Sequence, residues 1–377
     1  MRTLKSTLTR RAWVAGALAL PAWCALAQGG ARIAAAPVGS PGSAVPGAPA
    51  APAAAVGPAS TAAAVPTSPS KAVRPIFVLN SLDADVSLID PNTFATIRRI
   101  PTGKEPHHLY LTPDEKSVIV ANATGNSLTF IDPVSGEVQR TLHNVVDPYH
   151  LRFSPDMKWF VTAANRLNHV DIYRWTPAAA EPLALVRRVP AARTPSHLSI
   201  DSRSTVVYAS LQDSDELTAI DLATQTRLWT IKVGKMPADI FLAPDDRTLF
   251  VGLTGDKVVE AWDVSASPPK LIKRIPTGEG AHAFRGRGDR RHVFVSNRVA
   301  NTISLIDMQA LSVVAELPAP GGPDCMELLA DGRTLLVSSR WVRKLSFIDI
   351  EARKVVRQVD VGRSPHGVWT LDHAPRL

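Results

Sequence analysis

Six of the ten histidines in this 377-residue chain recur at one kind of place in the sequence. Each lies one or two residues after a turn proline or after the alanine that takes its place, as in Gly103-Lys-Glu-Pro-His-His108. The first position after that slot reads His107, Tyr149, Ser196, Ala238, His282, Asp324 and His366. The second position reads His108, His150, His197, Asp239, Ala283, Cys325 and Gly367. A random scatter of histidines would leave almost none there, so the clustering carries information.

Neutral imidazole, thiolate and carboxylate are the groups that bind zinc, copper or iron. One hypothesis is therefore a metal or metallo-cofactor site, with copper or a haem-like group as cofactor. Its candidate ligands are His107, His108, His150, His197, His282, Cys325 and His366. A second hypothesis is that the histidines belong to the turn and hydrogen-bond to neighbouring backbone. A third is a polar ligand that binds without metal.

A metal-free ligand site would use the same positions together with arginines from nearby loops. Its candidate residues are His107, His108, His150, His197, Asp239, His282, Asp324, His366, Arg166, Arg298 and Arg340. A mixed arginine and histidine lining suits a carboxylate, a phosphate or a haem propionate. The alternative is that the arginines form a solvated rim.

An internal repeat positions these residues. The proline slot recurs at Pro106, Pro148, Pro195, Pro237, Ala281, Pro323 and Pro365, with spacings of 42 to 47 residues. Each unit holds four short runs rich in Val, Ile and Phe, bounded by Pro-Asp, Asn and Gly, which predicts four strands. Seven such units of about 42 residues predict an all-β, seven-bladed β-propeller.

The two ends of the repeat region predict how the ring closes. Residues 76–80 match the second strand of a unit, whereas 362–371 match a first strand. The C-terminal strand is therefore expected to complete the first blade, which removes the open edges of a linear stack. In such a ring the turns that carry the histidines face the mouth of the central channel.

The repeat resembles the YVTN-type propellers, on the strings Val118-Ile-Val-Ala-Asn122 and Val293-Phe-Val-Ser-Asn297, the Pro-His turns and the Ser-x-Ile-Asp ends. The resemblance implies the propeller fold and a cell-envelope setting. It also implies that Pro-His is part of the repeat, with Gly common after it, so His108, His150 and His197 depart from the pattern. The layout distantly resembles haem-d1 and nitrous-oxide reductase propellers, although no ligand motif of either family is present. Fold does not imply function in this family.

The N-terminal 73 residues read as targeting and linker sequence. Residues 1–27 combine a basic start, a short apolar centre and Ala25-Leu26-Ala27, which predicts a signal peptide and a periplasmic or secreted protein. Arg10-Arg11 leaves both general secretion and twin-arginine export open. Residues 28–73 are rich in Ala and Pro and predict a disordered tether before a propeller over 74–377. We expect no transmembrane segment and a monomer.

The net charge of +8 overstates how basic the predicted propeller is. Six of the 42 basic residues precede residue 74 and no acid does, so 36 basic and 34 acidic residues leave +2. The run Arg285–His292 is basic but lacks interleaved aromatic residues, so it predicts a solvated turn better than a nucleic-acid site. Cys24 lies in the predicted signal, which leaves Cys325 without an internal disulfide partner.

Catalytic motifs are missing from the sequence, including Gly-x-Ser-x-Gly, a P-loop and His-Glu-x-x-His. This favours an exported binding or scaffold protein over an enzyme, with a small-molecule or protein partner at the histidine-lined channel mouth. The alternatives are a metal- or haem-handling redox protein and nucleic-acid binding.

Overall fold

A computed structural model describes residues 74–177 and 179–377 of the chain. The predicted signal peptide (1–27) and tether (28–73) lie outside the described residues. The described residues form 28 β-strands and one short 3₁₀ turn, Gln212–Ser214. None of their helical segments is long and apolar enough to cross a membrane.

The strands form seven antiparallel sheets of four, which are the blades. Blade 1 contains β1 (Ile76–Asn80), β2 (Asp85–Ile89) and β3 (Thr96–Pro101). Blade 2 contains β4 (Pro106–Leu111), β5 (Val118–Asn122), β6 (Ser127–Ile131) and β7 (Val138–His143). Blade 3 contains β8 (Pro148–Phe153), β9 (Trp159–Ala164), β10 (His169–Trp175) and β11 (Leu183–Pro190). Blade 4 contains β12 (Pro195–Ile200), β13 (Val206–Leu211), β14 (Glu216–Asp221) and β15 (Thr226–Lys232).

The remaining blades follow the same order. Blade 5 contains β16 (Pro237–Leu242), β17 (Thr248–Leu253), β18 (Val258–Asp263) and β19 (Lys270–Pro276). Blade 6 contains β20 (Ala281–Gly286), β21 (His292–Asn297), β22 (Thr302–Asp307) and β23 (Ser312–Pro318). Blade 7 contains β24 (Pro323–Leu328), β25 (Thr334–Ser339), β26 (Lys344–Asp349) and β27 (Lys354–Asp360). The last strand is β28 (Pro365–Thr370).

The C-terminal strand closes the ring. β28 pairs antiparallel with β1, so blade 1 has the order β28-β1-β2-β3. The inner strands β4, β8, β12, β16, β20, β24 and β28 contact one another in sequence around the channel. The prediction of a seven-bladed all-β propeller closed by the C-terminal strand is confirmed.

The hydrophobic core lies between neighbouring blades. Phe77 and Leu79 of blade 1, for example, pack in one buried cluster with Val118 and Val120 of blade 2. The middle strands are buried along their length because both of their faces are covered, whereas outer strands such as β7 are largely exposed. The ring thus holds its inner strands on a rigid frame.

The aspartates that end the third strands are structural, as the repeat predicts. Asp90 and Asp132 each accept two backbone N–H groups of the turn that follows. In later blades the same carboxylate also pairs with an arginine, as in Arg333–Asp349 at 2.7 Å.

Candidate functional site

Each inner strand starts with an irregularity that turns its first side chains into the channel. The residue before every proline slot has a left-handed φ, between 48° at Asp147 and 81° at Gly280. The register of the strand then shifts directly after the slot in all seven blades, over one residue in blades 2 and 3 and over two in the others. Bulges re-aim side chains next to functional sites. The repeat therefore brings fourteen residues, thirteen of them with a side chain, to one place.

The six repeat histidines meet there, and none is more than 8% exposed. His108 is the hub of the cluster. Its ring centroid lies 4.5 to 4.9 Å from those of four other imidazoles: His107, His150, His197 and His366. His107 also stacks on His366, at 3.6 Å between centroids. The histidines thus lie inside the channel and not on an open rim.

Glycine at the second position of blade 1 has a steric reason. A Cβ at Gly367 would come within 2.5 Å of Leu109 and 2.9 Å of Leu79. This close approach lets His366 donate from Nδ1 to the backbone carbonyl of His107, at 2.7 Å. The Nε2 atom of His366 is then unprotonated in the neutral ring.

The hydrogen bonds define the tautomers of His150 and His282 and orient the ring of His197. Ser196 Oγ lies 2.9 Å from His197 Nδ1, which leaves His197 Nε2 without a partner. His150 Nδ1 accepts a long, 3.3 Å bond from the Leu198 amide. His282 Nε2 accepts from Arg298 Nη2 at 2.7 Å, so its proton is on Nδ1.

Five of the six rings keep one buried nitrogen without a hydrogen-bond partner. These atoms are His107 Nδ1, His108 Nε2, His197 Nε2, His282 Nδ1 and His366 Nε2. A buried polar atom without a partner costs about 1–3 kcal/mol, and native structures hold few of them. These nitrogens are the atoms of the cluster that a ligand could engage, and the same feature occurs at buried His169 of β10, outside the repeat positions.

Blades 6 and 7 place three charged side chains beside the histidine cluster. Asp324 is fully buried, and its Oδ2 lies 2.9 Å from Arg298 and 3.0 Å from Arg340. Its Oδ1 lies 3.2 Å from His282 Nδ1 and 3.4 Å from His366 Nε2, in contacts too poorly aligned to count as hydrogen bonds. The candidate residues Arg298, Arg340 and Asp324 therefore form one ion-pair network.

Burial keeps the imidazoles neutral. It lowers the pKa of His107, His108, His150, His197 and His282 well below the ordinary value, and neighbouring positive groups lower it further. Burial also lowers the pKa of His366 to about 4, although Asp324 opposes this. Burial alone would raise the pKa of Asp324, but Arg298 and its other neighbours hold it well below its usual range. Neutral imidazole is the form that binds metal.

A cavity of about 80 Å³ adjoins the histidines of the second position. It is lined by His108, His150, His197, Asp239 and Cys325, with Arg152 from further along β8. Burial raises the pKa of Asp239 to about 6, and Arg152 opposes the rise. The cavity has room for an ion and a few water molecules, but not for a haem-like macrocycle.

Three groups in the described residues are close enough to share an ion, with ligand atoms within 4.8 Å of one another. They are His107–His108–His366, His108–His150–His197 and His282–Asp324–His366. The third group already holds Arg298 and Arg340, whose charges disfavour a cation. Positive charge also lies near the other two groups, from Arg340 at His107 in the first and from Arg152 at His150 and His197 in the second. The second group borders the cavity and the carboxylate of Asp239.

The structure brings together most of the residues singled out in the sequence, with two exceptions. Arg166 is engaged elsewhere: its guanidinium binds Asp147 at 2.8 Å and the Ala123 carbonyl at 2.9 Å. The prediction that Arg285 belongs to a solvated turn was wrong. Its side chain is buried in β20 and pairs with Glu327 at 2.6 Å, because the bend of 371–377 across the strand covers it.

Sequence reasoning missed two residues of the site. Tyr149 is at the first position, and its ring lies 3.9 Å from that of His107, where burial raises the pKa of its hydroxyl to about 12. Its place in the repeat was visible, but its stacking was not. Arg152 carries no motif that points to the cavity.

The fold and the buried histidine cluster define the class as a seven-bladed β-propeller with a polar channel site. A family model described as YNCE-like beta-propeller matches residues 37–376. The chain belongs to this family, and the expected resemblance to YVTN-type propellers agrees with it. No curated protein matches the chain.

Solved structures show the same fold at low identity. A functionally unknown protein from Desulfotomaculum acetoxidans is 15% identical with a TM-score of 0.69, covering 80% of this chain and 99% of its own. The periplasmic gluconolactonase PpgL of Pseudomonas aeruginosa is 17% identical with a TM-score of 0.65, covering 79% and 99%. Dihydro-heme d1 dehydrogenase NirN, solved in complex with DHE, is 19% identical with a TM-score of 0.60, covering 81% and 77%.

Proposed function

We propose that this protein is a metal-binding propeller that holds one transition-metal ion in its channel, with His108, His150 and His197 as ligands. The observation that carries the proposal is the convergence of these three buried imidazoles, from three consecutive blades, on one small cavity. Imidazole ligands suit zinc and copper, and an open fourth position leaves room for water or a further ligand.

The three proposed ligands differ in how closely their orientation and hydrogen bonds already suit metal binding. The ligand nitrogens lie within 4.8 Å of one another. Tetrahedral zinc with bonds of 2.0–2.1 Å needs them about 3.3 Å apart, so the rings must move closer together to bind it. His197 is oriented by Ser196, as metal-binding histidines are by their outer hydrogen bonds. His150 must give up its long bond from Leu198 to place a proton on Nδ1 and bind through Nε2. It is therefore the weakest of the three.

The small cavity favours an ion over a haem-like group. The neighbouring carboxylate of Asp239 offsets the charge of Arg152, which would otherwise oppose a cation. Cys325 lines the same cavity but is in none of the three groups whose ligand atoms lie within 4.8 Å of one another, and burial, reinforced by Asp324, raises the pKa of its thiol well above the usual range. A metal ion would lower that pKa.

We also propose that the protein works in the periplasm. The basic start, short apolar centre and small-residue cleavage site of residues 1–27 support export. One structural relative, PpgL, is described as periplasmic.

The test is titration of EDTA-stripped protein with Zn²⁺ and Cu²⁺ against a chromophoric chelator. We expect about one equivalent of bound metal, with His108→Gln and His197→Gln each weakening affinity by at least about 100-fold, since loss of an outer-shell partner alone costs 10–100-fold. His150→Gln should cost less. His143→Gln is the matched control, because His143 is exposed on β7, away from the channel.

Two results would overturn the proposal. One is binding of less than about 0.1 equivalent of either metal. The other is unchanged affinity in the His108 and His197 variants when both are shown by circular dichroism to be folded.

A further inference from the structure

The channel holds a second cavity beyond the histidines, at the other end of the inner strands. It has a volume of about 250 Å³ and shares Arg152, Phe284, Arg285 and Arg376 with the smaller cavity of the metal site. Its walls come from the last residues of β4, β8, β12, β16 and β20, and from 376–377. The two cavities therefore adjoin, but none of the histidines of the proposed metal site lines the second one.

Three arginines line this cavity, and two of them are paired. Arg285 Nε lies 2.6 Å from Glu327 Oε1, and Arg376 Nη2 lies 2.5 Å from Glu327 Oε2. Arg285 also donates to the carbonyls of Ala374 and Pro375, at 2.7 and 3.0 Å. Each carboxylate oxygen of Glu327 thus pairs with one arginine, and both of these guanidinium groups have structural partners.

The third arginine, Arg152, has no carboxylate partner among the described residues. Its only hydrogen bond is a 3.3 Å contact from Nη1 to the carbonyl of Leu151. Both oxygens of nearby Asp239 accept backbone amides instead, from Ile240 and Phe284. A half-buried guanidinium presents five N–H donors, and leaving them unpaired costs free energy.

Aromatic rings form the other walls. Tyr110 and Phe153 lie 6.1 Å apart, and Phe241 and Phe284 lie 6.2 Å apart. Arg152 lies over the Tyr110 ring, 5.3 Å from its centroid, which orients the guanidinium by cation–π contact. One charged anchor between aromatic rings is the arrangement that binds a planar apolar body with an acidic end.

We infer that the second cavity is a binding site for a small aromatic carboxylate, with Arg152 binding the carboxylate and the rings of Phe153, Phe241 and Phe284 packing on the ligand body. A carboxylate accepts two parallel N–H bonds from a guanidinium, which is a geometry that Arg152 can offer and the paired arginines cannot. The volume limits the ligand to about the size of one substituted ring.

The test is calorimetric titration of the full chain with benzoate and with benzamide, its neutral counterpart. EDTA is present throughout, so the result is independent of metal binding. We expect benzoate to bind at least about ten-fold more tightly than benzamide, because only benzoate forms charge-assisted bonds. Arg152→Gln should weaken benzoate by at least about ten-fold and leave benzamide unchanged.

The control variant is Arg174→Gln, in the same blade. Arg174 is exposed and lies over the Trp159 ring, 3.8 Å from its centroid. The Arg174→Gln variant should bind benzoate as tightly as the wild type does. Without ligand, Arg152→Gln should melt close to the wild type, because it loses one cation–π contact with Tyr110 and breaks no hydrogen-bonded ion pair.

The inference is overturned if benzoate shows no binding at millimolar concentration, or binds no better than benzamide. It is also overturned if Arg152→Gln binds benzoate like the wild type. Inorganic phosphate binding as tightly as benzoate would contradict the role of the aromatic walls.

Discussion

Two arcs of the channel wall use the same repeat positions in different ways. The imidazole arc, His108, His150 and His197 on blades 2–4, consists of neutral rings beside a cavity. The charged arc, His282, Arg298, Asp324 and Arg340 on blades 6 and 7, is an ion-pair network around one buried carboxylate.

The difference lies in what the polar atoms contact. On the charged arc, Asp324 Oδ2 is matched by two guanidinium groups and His282 Nε2 accepts from one of them, whereas His282 Nδ1 and Asp324 Oδ1 have no hydrogen-bond partner. On the imidazole arc, His108 and His197 keep nitrogens without partners. A matched network stabilises the fold, whereas unpartnered donors and acceptors beside a cavity are available to a ligand. The same turn thus builds an ion-pair network on one side of the channel and, on the other side, the site that we propose for a metal ion.

The largest effect is expected from breaking the charged arc. Asp324→Asn removes the fully buried carboxylate that pairs with the partly buried Arg298 and Arg340, so we expect the free energy of unfolding to fall by about 3–5 kcal/mol. Urea denaturation followed by tryptophan fluorescence measures the loss. The matched control is Asp263→Asn, which removes the exposed pair with Arg247 and should have a much smaller effect. Equal losses in both variants would mean that the buried network contributes no more to stability than the exposed pair does.

The second-largest effect is expected from acid, which should lower the free energy of unfolding by protonating the histidines of the unfolded chain. Burial lowers the pKa of His366 from 6.5 to about 4, so between these values the unfolded chain binds more protons and stability falls as pH falls. This shift alone corresponds to about 3 kcal/mol. The other five repeat histidines shift in the same direction. Asp239, whose pKa is raised to about 6, opposes them below that pH.

Denaturation of EDTA-treated protein at several pH values between about 7.5 and 4.5 measures the net effect, which we expect to be a loss of at least about 3 kcal/mol. His366→Gln should reduce the slope with pH, whereas His143→Gln should not. Stability that is flat or rises on acidification would contradict the neutral, buried cluster.

The smallest expected effect concerns Cys325, which lies where the two arcs meet. Its Sγ is 3.5 Å from His366 Nδ1, and burial together with Asp324 raises the pKa of the thiol well above its usual range. The thiolate is the reactive form, so native protein made without residues 1–27 should react with a thiol reagent at least about 100-fold more slowly than unfolded protein. Fast labelling would place Cys325 in an open, activated site.

Much of the architecture could be predicted from the sequence because every blade of the propeller is encoded by the same sequence pattern. Seven proline slots, seven groups of four strands and a C-terminal first strand specified the blades, their number and the closure of the ring. Each blade obeys local rules of turns and apolar alternation, and neighbouring blades bury one another's faces. The positions that leave the pattern, His108, His150 and His197, were visible for the same reason.

What each of those positions does was decided only in three dimensions. Whether an imidazole nitrogen has a partner depends on groups far away in sequence, such as the carbonyl of His107 for His366, 259 residues apart. The burial of Arg285 depends on a segment about 90 residues later in the chain, and the isolation of Arg152 on where Asp239 finds its amides. Local sequence determined the blades and brought the histidines to the channel. The ring determined which of them are matched and which remain free, because hydrogen bonds and ion pairs across the channel join residues that no repeat places side by side.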